Sequence, residues 1–295
     1  DGNYISVPAN ILQSLYENGH TISFWGKDAS TSDSDYTVIA TNSTGSGSDI
    51  YIRIHTPWNN NNVYFDNGNG ASNYSRLNGA SGTSANELVF WTFTRENISS
   101  TQIMLKIYKN GIVFLSNTFT RYDFDNSSIS SVFYIGYNTN SSFIFKNKSL
   151  EDFRIYDKTL TETEINELYM QSIVARFKDP SNTSAIAASK DWKLISYEPS
   201  EDNWFPDGLL NDIPSDRYLA FIYEDSGTLT WVMLQKSVIE GNHNWSTYSV
   251  PTGHGSISSI GRYNDELETG SQAPIITTTT NVQRSSHFIY REESS

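Results

Sequence analysis

The sequence predicts an all-β protein, because residues 1–160 alternate short β-branched and aromatic runs with clusters of Asn, Gly, Ser and Asp. That alternation is typical of antiparallel sheets joined by turns. The Asn110-Gly111 pair between two such runs also favours a hairpin. We therefore expect an antiparallel β-sandwich with a short C-terminal helix over 1–176, a linker over 177–184, and a smaller β-rich domain over 185–295.

The expected strands of the sandwich follow one another at short intervals. They cover residues 1–8, 21–25, 88–95, 104–108, 113–115, 133–137 and 153–156. Asn110 and Gly111 both accept positive φ, so they fit a type I′ turn between two of these strands. The polar stretches 30–35, 41–49 and 59–85 are then expected to be loops, and the last is long enough to be functional.

A helix is predicted to begin at Thr161, directly after the last strand of the sandwich. Thr161 and Glu164 have the spacing of a capping box ahead of Ile165 and Leu168. The helical pattern runs to about residue 175. Pro180 and its small polar neighbours then interrupt it and predict the linker.

The tract from Lys148 to Ile165 resembles the last strand and helix of the laminin-G-like, concanavalin A-like jelly roll. Further segments resemble that family in the same order along the chain. They are residues 1–8, 21–25, 88–95, 104–113 and 133–137. The resemblance covers about residues 1–170 and implies a lectin-like jelly roll. Because the chain begins inside the expected first strand, we expect it to be a fragment or a processed product.

The C-terminal part has no family resemblance but contains further strand patterns. The expected strands are residues 192–197, 218–223, 229–234 and 287–291, with a turn at 225–227 between the middle two. These segments predict a small β-rich domain of unidentified type.

Composition restricts the possible partners. The net charge of −13 and the pI near 4.7 argue against nucleic acid and anionic membranes, which require clustered Lys and Arg. No run is long and apolar enough for membrane insertion. The chain has no cysteine, so disulfides and thiolate metal sites are excluded, and a bacterial or viral source is favoured.

The family resemblance implies a possible structural calcium ion. In such jelly rolls Ca²⁺ often lies between the entry of the chain and the last strand, where this sequence has Asp1, Glu151 and Asp152. Calcium prefers six to eight oxygen ligands, including carboxylates. The alternative is a solvated acidic corner. Lys148 replaces the glycine usual in the family and weakens the calcium interpretation.

A second candidate site follows from aromatic and amide residues within one polar stretch. Aromatic faces stack on the C–H surface of sugars, while Asn and Asp bond to sugar hydroxyls. The candidate ligand-binding residues are Trp58, Asn60, Tyr64, Asp66, Asn67 and Tyr74. Trp25, Phe90, Phe93, Ile107 and Ile155 are instead expected in the core, because they lie in strand patterns.

The sequence matches known catalytic motifs only weakly. The paired-acid tract of glucanases on this fold does not occur, and Glu162 and Glu164 lie where acids favour a helix start. Residues 223–231 only partly match a sialidase Asp-box, so a plain hairpin is the better interpretation. The five histidines form no zinc motif.

These observations favour a non-catalytic attachment or structural protein, extracellular or on a virion surface. We expect its partners to be glycans or neighbouring subunits of a larger particle, such as the capsid, spike or tail of a virus or phage. Two alternatives stay open: a carbohydrate-binding module of a secreted bacterial protein, and a glycosidase.

Overall fold

In a computed structural model, the chain forms two compact units, residues 1–169 and 170–295. It describes residues 5–7, 11–28, 38–42, 50–58, 60–70, 73–85, 87–122, 132–136, 148–179, 185–197, 210–225, 228–240, 248–257, 259–260, 276–277, 283–284 and 288–293. Within these ranges no helix is long and apolar enough to cross a bilayer.

The first unit is a two-sheet antiparallel sandwich, as predicted. Its strands are β1 (Ile5–Val7), β2 (His20–Asp28), β3 (Ile39–Asn42), β4 (Ile50–His55), β5 (Asn62–Gly70), β6 (Tyr74–Ala80), β7 (Leu88–Asn97), β8 (Gln102–Lys109), β9 (Ile112–Thr120), β10 (Val132–Ile135) and β11 (Lys148–Tyr156). The six-stranded sheet has the order β1-β10-β3-β4-β5-β6, and the five-stranded sheet has the order β11-β2-β7-β8-β9.

Side chains from the facing sides of both sheets form the core of the sandwich. Phe93 and Ile107 are fully buried in it, and Ile155 packs against it partly buried. Trp25 and Phe90 are equally buried but contact Tyr169, with ring centroids 5.9 and 5.7 Å away. Their strand neighbours occupy the inter-sheet core, so these two side chains lie on the other face of the sheet. The prediction that they are buried core residues is confirmed, but they pack against Tyr169 rather than between the two sheets.

Two local motifs predicted from sequence are present. Asn110 and Gly111 have φ of 52° and 79° and connect β8 to β9. At the start of helix α2 (Glu162–Lys178), the Glu164 amide donates to the Thr161 hydroxyl at 3.2 Å, and the Thr161 amide donates to Glu164 at 2.8 Å. The Lys158 ammonium and these Thr161 groups lower the pKa of Glu164 to about 2.

A short helix that the sequence analysis did not predict lies near the start of the chain. Helix α1 (Ile11–Glu17) buries Leu12, Leu15 and Tyr16 in the sandwich core. It begins inside the first unit between β1 and β2, and the Tyr16 hydroxyl donates to the Gly68 carbonyl of β5.

The second unit contains the four strands expected there. Its main sheet has the order β12 (Trp192–Tyr197), β19 (Phe288–Glu292), β13 (Tyr218–Asp225), β14 (Thr228–Gln235). The smaller elements are α3 (Ala185–Ala188), α4 (Lys236–Glu240), β15 (Tyr248–Ser249), β16 (Ser259–Ile260), β17 (Ile276–Thr277) and β18 (Gln283–Arg284).

The division between the units differs from the expected boundary. It falls after Tyr169, within α2, and residues 177 and 178 end that helix rather than begin a linker. Phe177 is fully buried against Trp192 and Trp231 of the second unit, with ring centroids 5.5 and 5.1 Å away. Residues 180–184 of the expected linker lie outside the described ranges.

Candidate functional site

Four of the six candidate sugar-binding residues, Tyr64, Asp66, Asn67 and Tyr74, lie on a strand pair rather than in a loop. Residues 62–70 and 74–80, which fall within the expected loop 59–85, are the antiparallel strands β5 and β6. The loop prediction was wrong because Asn and Gly weaken the strand signal, whereas the inward residues Val63, Phe65 and Leu77 keep the strand period. The sheet therefore fixes the spacing of the polar residues between them.

Trp58 lies in the turn between β4 and β5 and belongs to an aromatic cluster. Its amide donates to the Asn62 carbonyl at 2.7 Å, and the Asn61 amide donates to its carbonyl at 2.8 Å. The ring centroid of Trp58 lies 4.2 Å from His55 and 6.3 Å from Tyr64. Asn61 has φ of 60°, a left-handed conformation that Asn tolerates better than most residues. The turn thus holds Trp58 against two rings.

Amide groups lie beside these rings. The Asn60 side-chain amide donates to the Tyr64 hydroxyl at 2.7 Å, and its carbonyl oxygen accepts from the Asn62 backbone amide at 3.1 Å. Asn60 is exposed, while Trp58 and Tyr64 are half-buried. Aromatic faces and polar groups therefore share one accessible surface.

Arg76 extends this surface along β6. Its guanidinium donates two hydrogen bonds of 2.7 Å to Asp66 and lies 5.1 Å from the ring centroids of both Tyr64 and Tyr74. The bond to Asp66 raises the pKa of Arg76, so its charge persists. We call Trp58, Asn60, Tyr64, Tyr74 and Arg76 the Trp58 surface.

Asp66 supports this surface from beneath. Its side chain is fully buried, and it lies directly between Arg53 of β4 and Arg76 of β6 in the sheet register. Burial lowers the pKa of Arg53, while Asp66 opposes that shift. Two planar N–H donors on one carboxylate give a fixed geometry. Asp66 therefore positions Arg76 between the tyrosine rings.

Five of the six predicted ligand-binding residues are brought together in this way: Trp58, Asn60, Tyr64, Asp66 and Tyr74. Asn67 is the exception, because neighbouring strand residues point to opposite faces and its side chain is 2% exposed. Sequence reasoning missed His55 and Arg76. The strand alternation through 63–67 and 74–78 is the signal that could have found Arg76.

The calcium site predicted at Asp1, Glu151 and Asp152 stays a prediction. Glu151 and Asp152 are exposed residues of β11 at an irregularity in its pairing with β2, and Asp1 lies outside the described ranges. Both Asp152 oxygens accept hydrogen bonds of 2.8 Å from Arg154. This pairing fits a cation poorly, because a guanidinium already neutralises the carboxylate. In the described part of the chain, no three acidic or histidine side chains form a metal-binding group.

Calcium titration checks that site. If Ca²⁺ binds the folded chain, millimolar calcium should raise the melting temperature and a chelator should reverse the rise. Arg154→Gln should strengthen the effect, because it releases Asp152. If the unmodified protein and Arg154→Gln each have the same melting curve in calcium and in chelator, calcium does not bind at this site.

The sandwich agrees with a family comparison. A laminin-G family model of the concanavalin A-like lectin/glucanases superfamily matches residues 1–166, which is more than half of the chain. The chain belongs to this superfamily. This finding confirms the resemblance derived from the sequence, and it assigns the first unit, including the Trp58 surface, to a lectin-like jelly roll. Among curated proteins, none matches the sequence.

Three binding domains are among the solved structures to which the chain is similar. The receptor binding domain of botulinum neurotoxin C/D mosaic serotype is 18% identical with a TM-score of 0.44, over 99% of this chain and 60% of that chain. The botulinum neurotoxin serotype D binding domain is 15% identical with a TM-score of 0.46, over 100% of this chain and 82% of that chain. The Ruminococcus gnavus IT-sialidase CBM40, bound to α2,3-sialyllactose, is 12% identical with a TM-score of 0.45, over 57% of this chain and 92% of that chain. This chain therefore spans about three fifths of the first of these proteins.

Proposed function

We propose that the first unit is a non-catalytic attachment module that binds a glycan through the Trp58 surface. The observation that carries the proposal is the contact between the Trp58 and Tyr64 rings next to the exposed amide of Asn60. Aromatic faces can cover the apolar side of a sugar ring, and amides can bond to its hydroxyls. Membership of the lectin/glucanase superfamily supports the same function.

The surface is rigid enough to bind without large ordering costs. Tyr64, Tyr74 and Arg76 stand on paired strands, and buried Asp66 fixes the guanidinium of Arg76 with two hydrogen bonds. Binding groups held in place before the ligand arrives lose less conformational entropy on binding. A weak, exposed sugar contact benefits especially from this pre-organisation.

A binding role suits this surface better than a hydrolytic one. Glycoside hydrolysis needs two carboxyl groups on either side of the scissile bond. The carboxylate at the Trp58 surface, Asp66, is buried and already accepts two bonds from Arg76. Its position makes it a support for Arg76 rather than a general acid.

We place this function outside the cell or on a virion surface, with neighbouring subunits of a larger particle as further partners. The support is the polar Asn-, Ser- and Thr-rich sequence without cysteine. Mass spectrometry of purified particles and of culture supernatant from the source would check the location. Recovery of the chain in the cytosolic fraction alone would contradict it.

Replacing Trp58 by alanine tests the glycan site. A glycan array first identifies a binding sugar, and calorimetry then measures its Kd. We expect Trp58→Ala to weaken binding by about 1–3 kcal/mol, since large aromatic anchors carry much of the energy of a binding site. The melting temperature should stay close to that of the unmodified protein, because Trp58 is half-exposed.

Two controls make the result specific. Trp58→Phe retains an aromatic face and should bind more tightly than Trp58→Ala. Ile98→Ala changes an exposed residue of the five-stranded sheet's β7–β8 turn and should leave binding unchanged. Unfolding of Trp58→Ala would show that Trp58 is a core residue. Unchanged affinity and stability, or no binding glycan, would overturn the proposal.

A further inference from the structure

A cavity lies in the first unit, where helix α2 begins beside the five-stranded sheet. Tyr169 of α2 covers Trp25 and Phe90 on this face of the sheet. Near the start of the helix, the same face is open and forms a depression of about 140 Å³. Its walls are Thr94 and Glu96 of β7, Met104, Lys106 and Tyr108 of β8, and residues 159–162. We call this depression the α2 pocket.

The α2 pocket combines hydrogen-bond donors and acceptors. Lys106 donates to Glu162 at 2.8 Å, which leaves capacity on both groups, because an ammonium has three donors and a carboxylate has about four acceptor sites. Tyr108 and Thr94 also line the pocket, and they are 1% and 2% exposed. Burial raises the pKa of the Tyr108 hydroxyl, so it stays protonated and able to donate.

Charge and size restrict the ligand. Glu96 and Glu162 outnumber Lys106 among the charged lining residues, which disfavours an anion. A small cation would find few ligands, because the lining has two carboxylates and one of them, Glu162, already pairs with Lys106. The volume of about 140 Å³ is well below the ~300–1,000 Å³ of drug-sized ligand sites, so only one ring fits. Met104 and Leu160 supply apolar contact.

We propose that the α2 pocket is a second binding site, which holds one neutral, hydroxyl-rich ring such as a terminal sugar residue. Hydroxyl groups both donate and accept, and so match the mixed polar lining of the pocket. The pocket lies on the five-stranded sheet, whereas the Trp58 surface lies on the six-stranded sheet. The proposal therefore goes beyond the proposed function and does not depend on it.

Methionine labelling tests this site directly, because the chain has only three methionines. Met104 lines the pocket, whereas Met170 and Met233 belong to the second unit. The protein is labelled with ¹³C-methyl methionine, and its methyl signals are followed by NMR. The methyl glycosides of glucose, galactose, mannose and N-acetylglucosamine are added in separate titrations, followed by the methyl glycoside of N-acetylneuraminic acid. We expect at least one neutral glycoside to shift the Met104 signal selectively and the acidic sugar to have no effect. Met104→Leu assigns the signal.

Variants then separate this pocket from the Trp58 surface. Tyr108→Phe and Lys106→Leu should each weaken binding of the neutral sugar at least about fivefold, because each removes a donor from the lining. If one of these two variants fails to fold, the other is tested alone. Trp58→Ala should leave the Met104 shift intact. The proposal is overturned if no neutral glycoside shifts Met104, if only the acidic sugar does, or if Trp58→Ala abolishes the shift.

Discussion

Replacing Phe93 by alanine is expected to lower the free energy of unfolding by about 3–5 kcal/mol, the range for aromatic truncation in a packed core. Phe93 is fully buried between the two sheets. Its ring lies 5.5 Å from Phe65 of the opposite sheet and 5.9 Å from Phe24 of its own sheet. Removing the ring leaves a cavity that rigid strands on both sides cannot fill by small movements.

Urea denaturation followed by tryptophan fluorescence measures this loss. Phe93→Leu should lose less stability, because it retains part of the buried volume. Ile112→Ala is a matched exposed control, since this side chain is 50% exposed, and it should change stability by less than about 0.5 kcal/mol. An equally small loss for Phe93→Ala would contradict the placement of Phe93 in the core.

Lowering the pH is expected to destabilise the first unit through His20. This histidine is fully buried, and its Nδ1 lies 3.0 Å from the Leu15 carbonyl, so the neutral ring donates from Nδ1. Burial, together with the nearby Arg95 guanidinium, lowers the pKa of His20 from 6.5 to about 3. The folded chain therefore holds His20 uncharged, whereas the unfolded chain protonates it near its ordinary pKa.

The direction of the effect follows from proton binding. The contribution of His20 to stability is complete above pH 6.5 and is lost as the pH falls toward about 3, because only the unfolded state takes up the proton in that interval. Each pH unit is worth about 1.4 kcal/mol. Between pH 6.5 and about pH 4.5 we expect a loss of about 2–3 kcal/mol from this residue alone.

The comparison with His20→Gln isolates this contribution from other acid effects. The variant should be less stable than the unmodified protein at neutral pH, because it disturbs the packing of the ring on Phe65. It should then lose less stability on acidification, so the two stability curves approach each other as the pH falls. Parallel curves would show that His20 does not take part in acid unfolding.

Short-range rules were sufficient for several elements. Asn110-Gly111 fixes its hairpin because both residues tolerate positive φ, and the structure shows that φ at both positions. Thr161 and Glu164 fix the start of α2 because each caps the other's backbone amide across one turn. The strands of the second unit's main sheet were likewise predicted from their alternation.

The Trp58 surface was only half predictable. Its aromatic and amide residues are visible as a polar stretch with Trp58, Tyr64 and Tyr74. Arg76 was missed, because its role depends on Asp66 directly across the strand pair and on tyrosines from two strands. The same pairing places Asn67 on the opposite face from its neighbour Asp66.

The sequence by itself determined the sandwich, the capped helix and the separate β-rich unit, because turns, caps and alternation act over a few neighbouring residues. Tertiary structure decided that residues 62–70 and 74–80 are strands and that α1 forms, since a seven-residue helix is not stable without a core to pack on. It also decided that Trp25 packs under Tyr169. Each of these outcomes depends on partners distant in the chain, and only their contacts compensate the entropy lost by ordering such weakly patterned segments.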